Sequence, residues 1–361
     1  MTSVVMKERS QAALGRRISG EILRFGVPSK GRNAEPAHQF LEACGLKVRR
    51  DSERQLTASI GGLPGVTVVL QRSEDILIQV ADGRIDVGIT GLDILRERAG
   101  ERDDTIILCE DLGFSRADLV VEVPDSWVDV STLADLADVA ASMRESGESL
   151  RVATSFPNLT RRFFYEKGIS HFSLVRAEGG VEAAPAMGFA DIAVDLTTTG
   201  VTLRENHLKV LRNGTILHSQ SCLVGNRRAL AGSREKRQVV RLILELIEAH
   251  IRARTFYSVT ANLRGRSEEE IAQALLTSPA TRGKRGPTVA RVYTAPESSN
   301  GAEGAWFAAT IIVEGAFLQD AVDHLRLVGG SGITVTPVKY LFDDLSQRYE
   351  TMLVELGVAR E

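Results

Sequence analysis

The densest potential for chemistry lies mid-chain, where an apolar run at 190–194 opens into Asp195-Leu196-Thr197-Thr198-Thr199-Gly200-Val201-Thr202. The run reads as a buried strand. Gly200 permits a tight turn or the close approach of a ligand. Backbone N–H groups and threonine hydroxyls converging in such a turn suit phosphate. A helix starting near Thr202 would add its partial positive charge. Asp195 does not suit bare phosphate. It suits ribose hydroxyls, or a magnesium ion reached through water. Together these residue types describe a pocket for a phosphorylated sugar. A short Thr/Gly motif alone reads equally as a plain turn after a core strand.

The candidate cations lie in the first third of the chain. Pro28-Ser29-Lys30-Gly31-Arg32 follows a strand predicted at 22–27. It precedes a helix with Ala37, Phe40, Leu41 and Cys44 at helical spacing, stopped by Gly45. Open α/β sheets take ligands at such strand-to-helix loops, which makes Lys30 and Arg32 candidate contacts. As two lone cations they equally read as a solvated loop. Arg54, and Arg72 directly after a strand at 66–70, are candidate anion contacts, because a guanidinium matches phosphate oxygens in pairs. Surface ion pairing is the alternative, above all for Arg54. Ser73-Glu74-Asp75 is expected to cap a helix through Ala81, closed by Gly83. The next strand ends in Thr90-Gly91-Leu92-Asp93. Gly91 would let adenine or ribose pack against the backbone, and Asp93 is expected to be a helix N-cap. His171, His207 and His218 are scattered, and ordinary structural or surface roles fit each better than catalysis.

These elements must be positioned by a larger frame. With 361 residues the chain is expected to hold two or three domains. A net charge of −3 gives no case for nucleic acid. Cys44, Cys109 and Cys222 form no C-x-x-C pair, which argues against a disulfide framework or zinc site and for a reducing, cytoplasmic setting. No stretch approaches a membrane span, and the N-terminus lacks a signal-like apolar core. A weak internal repeat aligns residues 83–90 with 188–195, each placing an aspartate (Asp86, Asp191) two residues ahead of its strand's last apolar pair. Both aspartates are expected to fix the turn by bonding local N–H groups. The repeat implies two lobes, each ending its strand at a ligand loop across a cleft.

The expected division is an N-terminal extension at 1–21, partly disordered, then lobe I at 22–115 and 218–254, and lobe II at 116–217. Residues 125–149 are expected to be surface helix and linker. A long helix from about 233 to 254 completes lobe I. At 255–340 the predicted order β-α-β-β-α-β is that of a small ferredoxin-like domain. A helical tail at 341–361 has an apolar side of Leu345, Tyr349, Met352 and Leu356.

From Gly179 to Asn206 the chain resembles the phosphoribosyl-diphosphate loop of the ATP phosphoribosyltransferases. The match runs through Gly179, Val181, Glu182, Ala184, Pro185, Gly188, Ala190, Asp191, Asp195, Leu196, Thr199, Gly200, Thr202, Leu203 and Asn206. The family's P-S-K-G-R recurs at 28–32 and its A-T-x-x-P-x-L at 153–159. The resemblance implies an α/β, two-lobed, periplasmic-binding-protein-like catalytic core with a C-terminal ferredoxin-like domain, the long form. It implies ATP and phosphoribosyl diphosphate as substrates, the first step of histidine biosynthesis, and feedback inhibition by histidine. Asp195 would hold ribose hydroxyls, residues 197–202 the 5′-phosphate, and Glu182 the sugar or the loop. Lys30, Arg32, Arg54 and Arg72 would meet phosphate charge. No covalent nucleophile is expected. Mg2+ would sit mainly on substrate phosphates rather than on a protein cluster. Thr288, in Gly286-Pro287-Thr288, is the candidate histidine contact. A homo-oligomer, dimers building a hexamer, is expected. Two alternatives share the cleft: a two-lobed solute-binding or sensor protein, and phosphoribosyl transfer to another base.

Overall fold

In the computed structural model the described residues are 23–50, 52, 54–98, 104–177, 179–293 and 304–359. The expected N-terminal extension and most of a polar loop at 296–304 lie outside them. The chain divides into two compact units, one running to Leu244 and resuming at Gln347, the other Glu245–Ser346.

The first unit opens with β1 (Leu23–Pro28), α1 (Ala34–Ala43), β2 (Val48–Arg49), β3 (Thr57–Ile60), β4 (Val66–Gln71), α2 (Ser73–Ala81), β5 (Val87–Gly91), α3 (Leu92–Glu97) and β6 (Thr105–Cys109). It continues with β7 (Ala117–Pro124), α4 (Leu133–Glu145), β8 (Leu150–Thr154), α5 (Pro157–Glu166), β9 (Phe172–Arg176), a 3-10 turn (Val181–Ala183), β10 (Ile192–Thr197), α6 (Val201–Glu205) and β11 (Leu208–Ser219). β12 (Ser221–Asn226), α7 (Arg227–Gly232) and α8 (Arg234–Ala253) follow.

Two sheets form, one per lobe. Lobe I has the order β2-β3-β4-β1-β5-β12-β6, and lobe II β11-β7-β10-β8-β9. β4, β1 and β5 run parallel, as do β9, β8 and β10. In each sheet one antiparallel strand, β12 or β7, is inserted beside that parallel set after crossing from the other lobe. The central strands are largely apolar because both faces are covered. Leu23, Phe25 and Val27 are fully buried in lobe I, and Val152, Ile192 and Val194 in lobe II.

Residues 125–149 are more than surface. Thr132 and Asp135 form a reciprocal capping box at the start of α4, which buries Leu133, Leu136 and Ala140 in the lobe II core. The expected Ser73 cap is absent. Arg72 holds the N-cap position without a side-chain bond, and Ser73 is the first helical residue, its hydroxyl taking a bond from Asn33 Nδ2 at 3.2 Å.

The repeat aspartates do not bond local turns. Asp86 Oδ2 accepts the Arg24 N–H at 2.7 Å, and Asp191 Oδ2 accepts the Arg151 N–H at 2.7 Å. The same arginines reach back to the Gly83 and Gly188 carbonyls, each at 2.8 Å. Each carboxylate therefore clamps the start of a neighbouring strand to the turn before its own strand.

The second unit carries β13 (Phe256–Gly265), α9 (Glu268–Leu276), β14 (Thr288–Val292), β15 (Ala305–Glu314), α10 (Leu318–Leu327) and β16 (Ser331–Pro337). Its sheet order β14-β15-β13-β16 gives the ferredoxin-like arrangement. Ser267 caps α9 by accepting the Glu270 N–H, while the Glu270 carboxylate takes the Arg266 N–H at 2.8 Å. α11 (Gln347–Leu356) belongs to the first unit. Its buried face is Tyr349, Met352 and Leu353, with Leu345 about half exposed outside it. Arg348 bonds Cys109 on β6, and Arg227 donates to the Glu355 carbonyl at 2.6 Å.

Candidate active site

Parallel strands deliver their following loops to one edge of a sheet, and both lobes use that edge. In lobe I the loop after β1 carries Lys30 and Arg32, Arg72 follows β4, and Gly91 ends β5. Arg54 lies just before β3, whose lead-in residue Leu56 pairs with Leu70 near the end of β4. All four candidate cations therefore share the carboxyl edge. Lys30, Arg54 and Arg72 are exposed, with no ion-pair partner among the described residues.

Arg32 is committed differently. Its guanidinium donates to Asp93 Oδ1 at 2.6 Å. Asp93 is 2% exposed and sits inside the first turn of α3 rather than capping it. The same oxygen accepts the Ser219 hydroxyl at 2.5 Å, and the Asp93 N–H donates to Ser219 Oγ at 3.1 Å. A buried carboxylate with two donors beats a cap role, since an unpaired charge there would cost several kcal/mol, roughly. Asp93 thus ties the lobe I cation loop to the returning crossover. Gly91 is also accounted for within the protein: a Cβ there would stand 2.5 Å from Asp93 Oδ1, so the space beside it holds a carboxylate.

In lobe II, β10 ends at Thr197, and Gly200 takes the left-handed conformation at φ 68°. A side chain would be strained there. The turn leads directly into α6, with Thr202 in its first turn. Asp195 and Thr197 are half-buried, whereas Thr198, Thr199 and Thr202 are exposed. Glu182, from the 3-10 turn, is half-buried and within hydrogen-bonding reach of the Asp195 carboxyl. Burial, the largest cause, and Glu182 push Asp195 up to about 6, while the Leu196 N–H and the Arg32 charge pull it down. The Leu196 N–H donates to Asp195 Oδ1 at 2.8 Å. Arg32 from lobe I and Asp195 from lobe II therefore feel each other electrostatically.

A third carboxyl escapes the sequence reading. Glu122, on β7, is 1% exposed, and its Oε2 has no hydrogen-bond partner. Burial, then Asp195 and Glu182, push it up to about 8. A lone acid inside Leu119-Val120-Val121-Glu122-Val123 was a legible anomaly. Among the described residues no three His, Cys, Asp or Glu side chains are grouped to hold a metal.

Of the three histidines weighed from the sequence, two make local polar contacts. His171 Nε2 pairs with the Glu148 carbonyl at 2.9 Å, and His218 Nδ1 with Asp118 Oδ1 at 2.7 Å on the surface. His207 holds a positive φ of 55° after α6. Thr288 is exposed at the start of the edge strand β14, opposite Thr310.

The family model described as ATP phosphoribosyltransferase matches residues 72–249, and that described as HisG, C-terminal domain, matches 253–340. The Arabidopsis thaliana protein "ATP phosphoribosyltransferase 1, chloroplastic" is 39% identical over 93% of this chain and 81% of its own length. An ATP phosphoribosyltransferase of Caulobacter vibrioides is 36% identical over 89% of this chain and 94% of its own. Among solved structures, the ATP phosphoribosyl transferase (HisG:HisZ) complex from Thermotoga maritima aligns with a TM-score of 0.49 at 27% identity, covering 63% of this chain and 96% of that one. With both family segments present in order on one chain, the protein belongs to the ATP phosphoribosyltransferase family, in its long form.

Proposed function

We propose that this chain transfers the phosphoribosyl group of phosphoribosyl diphosphate to N1 of ATP, releasing diphosphate, as the first step of histidine biosynthesis. One observation carries the assignment of the site: Asp195 and Glu182 from lobe II lie together where the charge of Arg32 from lobe I reaches Asp195. Adenine N1 has a free lone pair near neutral pH. It attacks the anomeric carbon without prior removal of a proton, and the carbon–oxygen bond to diphosphate breaks with its electron pair on the leaving group. The sugar carbon passes through an oxocarbenium-like state, which a nearby carboxylate stabilises. No nucleophilic side chain is needed, and the scattered, structurally engaged histidines agree with that.

The protein's part is alignment and charge placement. Aligning two bound reactants lowers a barrier by as much as about 7–11 kcal/mol. In this reading Asp195 accepts bonds from ribose hydroxyls, with Glu182 beside it. The turn from Thr197 to Thr202, with Thr198, Thr199, Gly200 and Val201 between, offers N–H and hydroxyl donors to the 5′-phosphate. Lys30, Arg54 and Arg72, with no ion pair among the described residues, meet the triphosphate or the diphosphate, and Arg32 stands between the two substrates. Magnesium, when bound on the phosphates, shields the charge of the leaving diphosphate.

Regulation is part of the same proposal. The ferredoxin-like unit binds histidine as feedback inhibitor, with Thr288 as the contact to test first, and the protein works as a homo-oligomer in the cytoplasm. Absence of a long apolar helix among the described residues agrees with a protein that does not cross the membrane by a helix. The test is product formation followed at the adenine band, with ATP, phosphoribosyl diphosphate, magnesium and a pyrophosphatase. Absorbance should rise only with both substrates and fall back towards baseline with histidine. A rise that histidine leaves unaltered removes the regulatory assignment and keeps the enzyme.

A further inference from the structure

One buried acid beneath the phosphoribosyl loop has no role in the mechanism above. Glu122 lies opposite Ala193 of β10 and Val210 of β11. It shares the sheet face of Ala193 and Asp195, because side chains two apart on a strand point the same way. That face is lined by small residues, Ala153, Ala184, Ala190 and Ala193, under the 3-10 turn and α6. A glutamate there is 1% exposed with Oε2 unpartnered, so it gains nothing from its surroundings as a plain core residue.

The charged groups facing it are all of one sign. From β10 comes Asp195, and from the 3-10 turn Glu182. β11 presents Val210, and the neighbouring Lys209 ammonium is engaged elsewhere, on the Trp127 carbonyl at 2.7 Å. α6 turns Arg204 and Glu205 to solvent and buries only Leu203. A third negative charge in this poorly solvated patch would be unpaired, and such groups keep their proton.

We propose that Glu122 is a positioning residue of the phosphoribosyl site: as a neutral acid it leaves Asp195 free to carry the charge that ribose hydroxyls need, and on losing its proton it closes the site to the anionic sugar. The proposal rests on the assignment of Asp195 and residues 197–202 to phosphoribosyl diphosphate. With Glu122 neutral, Asp195 stays ionised and offers the acceptor positions that the Leu196 N–H does not take. With Glu122 ionised, Asp195 is driven either to take up a proton or to move away. An incoming diphosphate would also meet one more negative charge. Burial raises Glu122 further than Asp195, so alkaline pH is where the ionisation of Glu122 is sought.

The experiment measures phosphoribosyl diphosphate binding by calorimetry, and KM and kcat for it, from about pH 6.5 to about pH 9 for the full chain. Glu122→Gln keeps the shape and fixes the neutral state; Glu122→Ala matches the small residues of the face. In the wild type KM should climb about tenfold per pH unit above the ionisation of Glu122, with kcat changing much less. In both variants KM should stay within about twofold across that range. An infrared difference between wild type and Glu122→Gln should show a protonated carboxyl band at neutral pH that fades on alkalinisation. Variants whose KM climbs in parallel with the wild type, or a carboxylate band at neutral pH, overturn the role of Glu122 alone. A wild type that binds no phosphoribosyl diphosphate at any pH overturns the site assignment, and this proposal with it.

Discussion

The two lobes build the same clamp in different surroundings. Arg24, Asp86 and Gly83 in lobe I repeat as Arg151, Asp191 and Gly188 in lobe II, with near-identical bonds. Yet Asp86 is fully buried and takes a second cation, Lys236 of α8, at 3.1 Å, whereas the Asp191 side chain is 17% exposed and Arg151 lies open. The strand ends diverge in the same way. Thr90 is buried, its hydroxyl donating to the Ser73 carbonyl at 2.9 Å, while Asp195 at the equivalent place stays half-open beside Glu182. Lobe I commits its repeat position to buried contacts and leaves Lys30, Arg54 and Arg72 exposed. Lobe II leaves its repeat position incompletely satisfied, and that is where substrate chemistry is expected. A shared supersecondary unit thus fixes where a site falls, and the residue at the strand end decides whether there is one.

The contrast can be broken most directly at the strand ends. Asp195→Ala should lower kcat/KM by about a thousandfold or more, roughly 4 kcal/mol of transition-state stabilisation, with the thermal midpoint little changed. Near-normal turnover would remove Asp195 from the site. The clamps give the opposite pattern. Asp86→Asn removes the buried charge that both Lys236 and Arg24 meet and should cost about 3–5 kcal/mol in urea unfolding. Asp191→Asn should shift the midpoint far less, and equal losses would mean that the two environments do not matter.

Asp93→Asn sharpens the comparison from the lobe I side. It keeps a partner for Ser219 but weakens the hold on Arg32. We expect a drop of about tenfold to a hundredfold in kcat/KM, seen with both substrates, as the proposed place of Arg32 between them requires. A loss confined to stability would mean that the Asp93 contact is only a brace for α3. The smallest effect concerns pH. Glu122 binds its proton more tightly folded than unfolded, so its contribution to stability is full below the ordinary carboxylate range of about 4.5 and fades as pH rises towards about 8. Glu122→Gln should therefore be relatively more stable than wild type at alkaline pH, with the difference shrinking as pH falls. A pH-independent difference would contradict it.

Much of this frame was legible in the sequence because it rests on local periodicity. The β-α-β-β-α-β order follows from alternating strand and helix patterns. The phosphoribosyl loop was legible because many residue types recur at fixed spacing. The partners were not. Asp93 meets Ser219 across 126 positions, and Asp86 meets Arg24 across 62, so nothing nearby in sequence identifies either bond. Local rules made Asp93 a cap and Asp86 a turn-former, and tertiary pairing overrode both. Glu97 shows the same limit: its carboxylate accepts the Asn158 and Leu159 N–H groups at 2.8 and 2.9 Å, capping α5 from the other lobe. Glu122 announced itself as an acid in an apolar strand, but what faces it came only with the sheet register.

The central claim is that the open strand end of lobe II is where phosphoribosyl transfer takes place. The most direct test is the adenine-band assay run side by side on wild type and Asp195→Asn, with ATP and phosphoribosyl diphosphate added singly and together. The account predicts a rise in the wild type that requires both substrates and is nearly abolished in the variant, which remains folded and still binds ATP. Binding of either ligand without any turnover in the wild type, or equal rates in the two proteins, would contradict it.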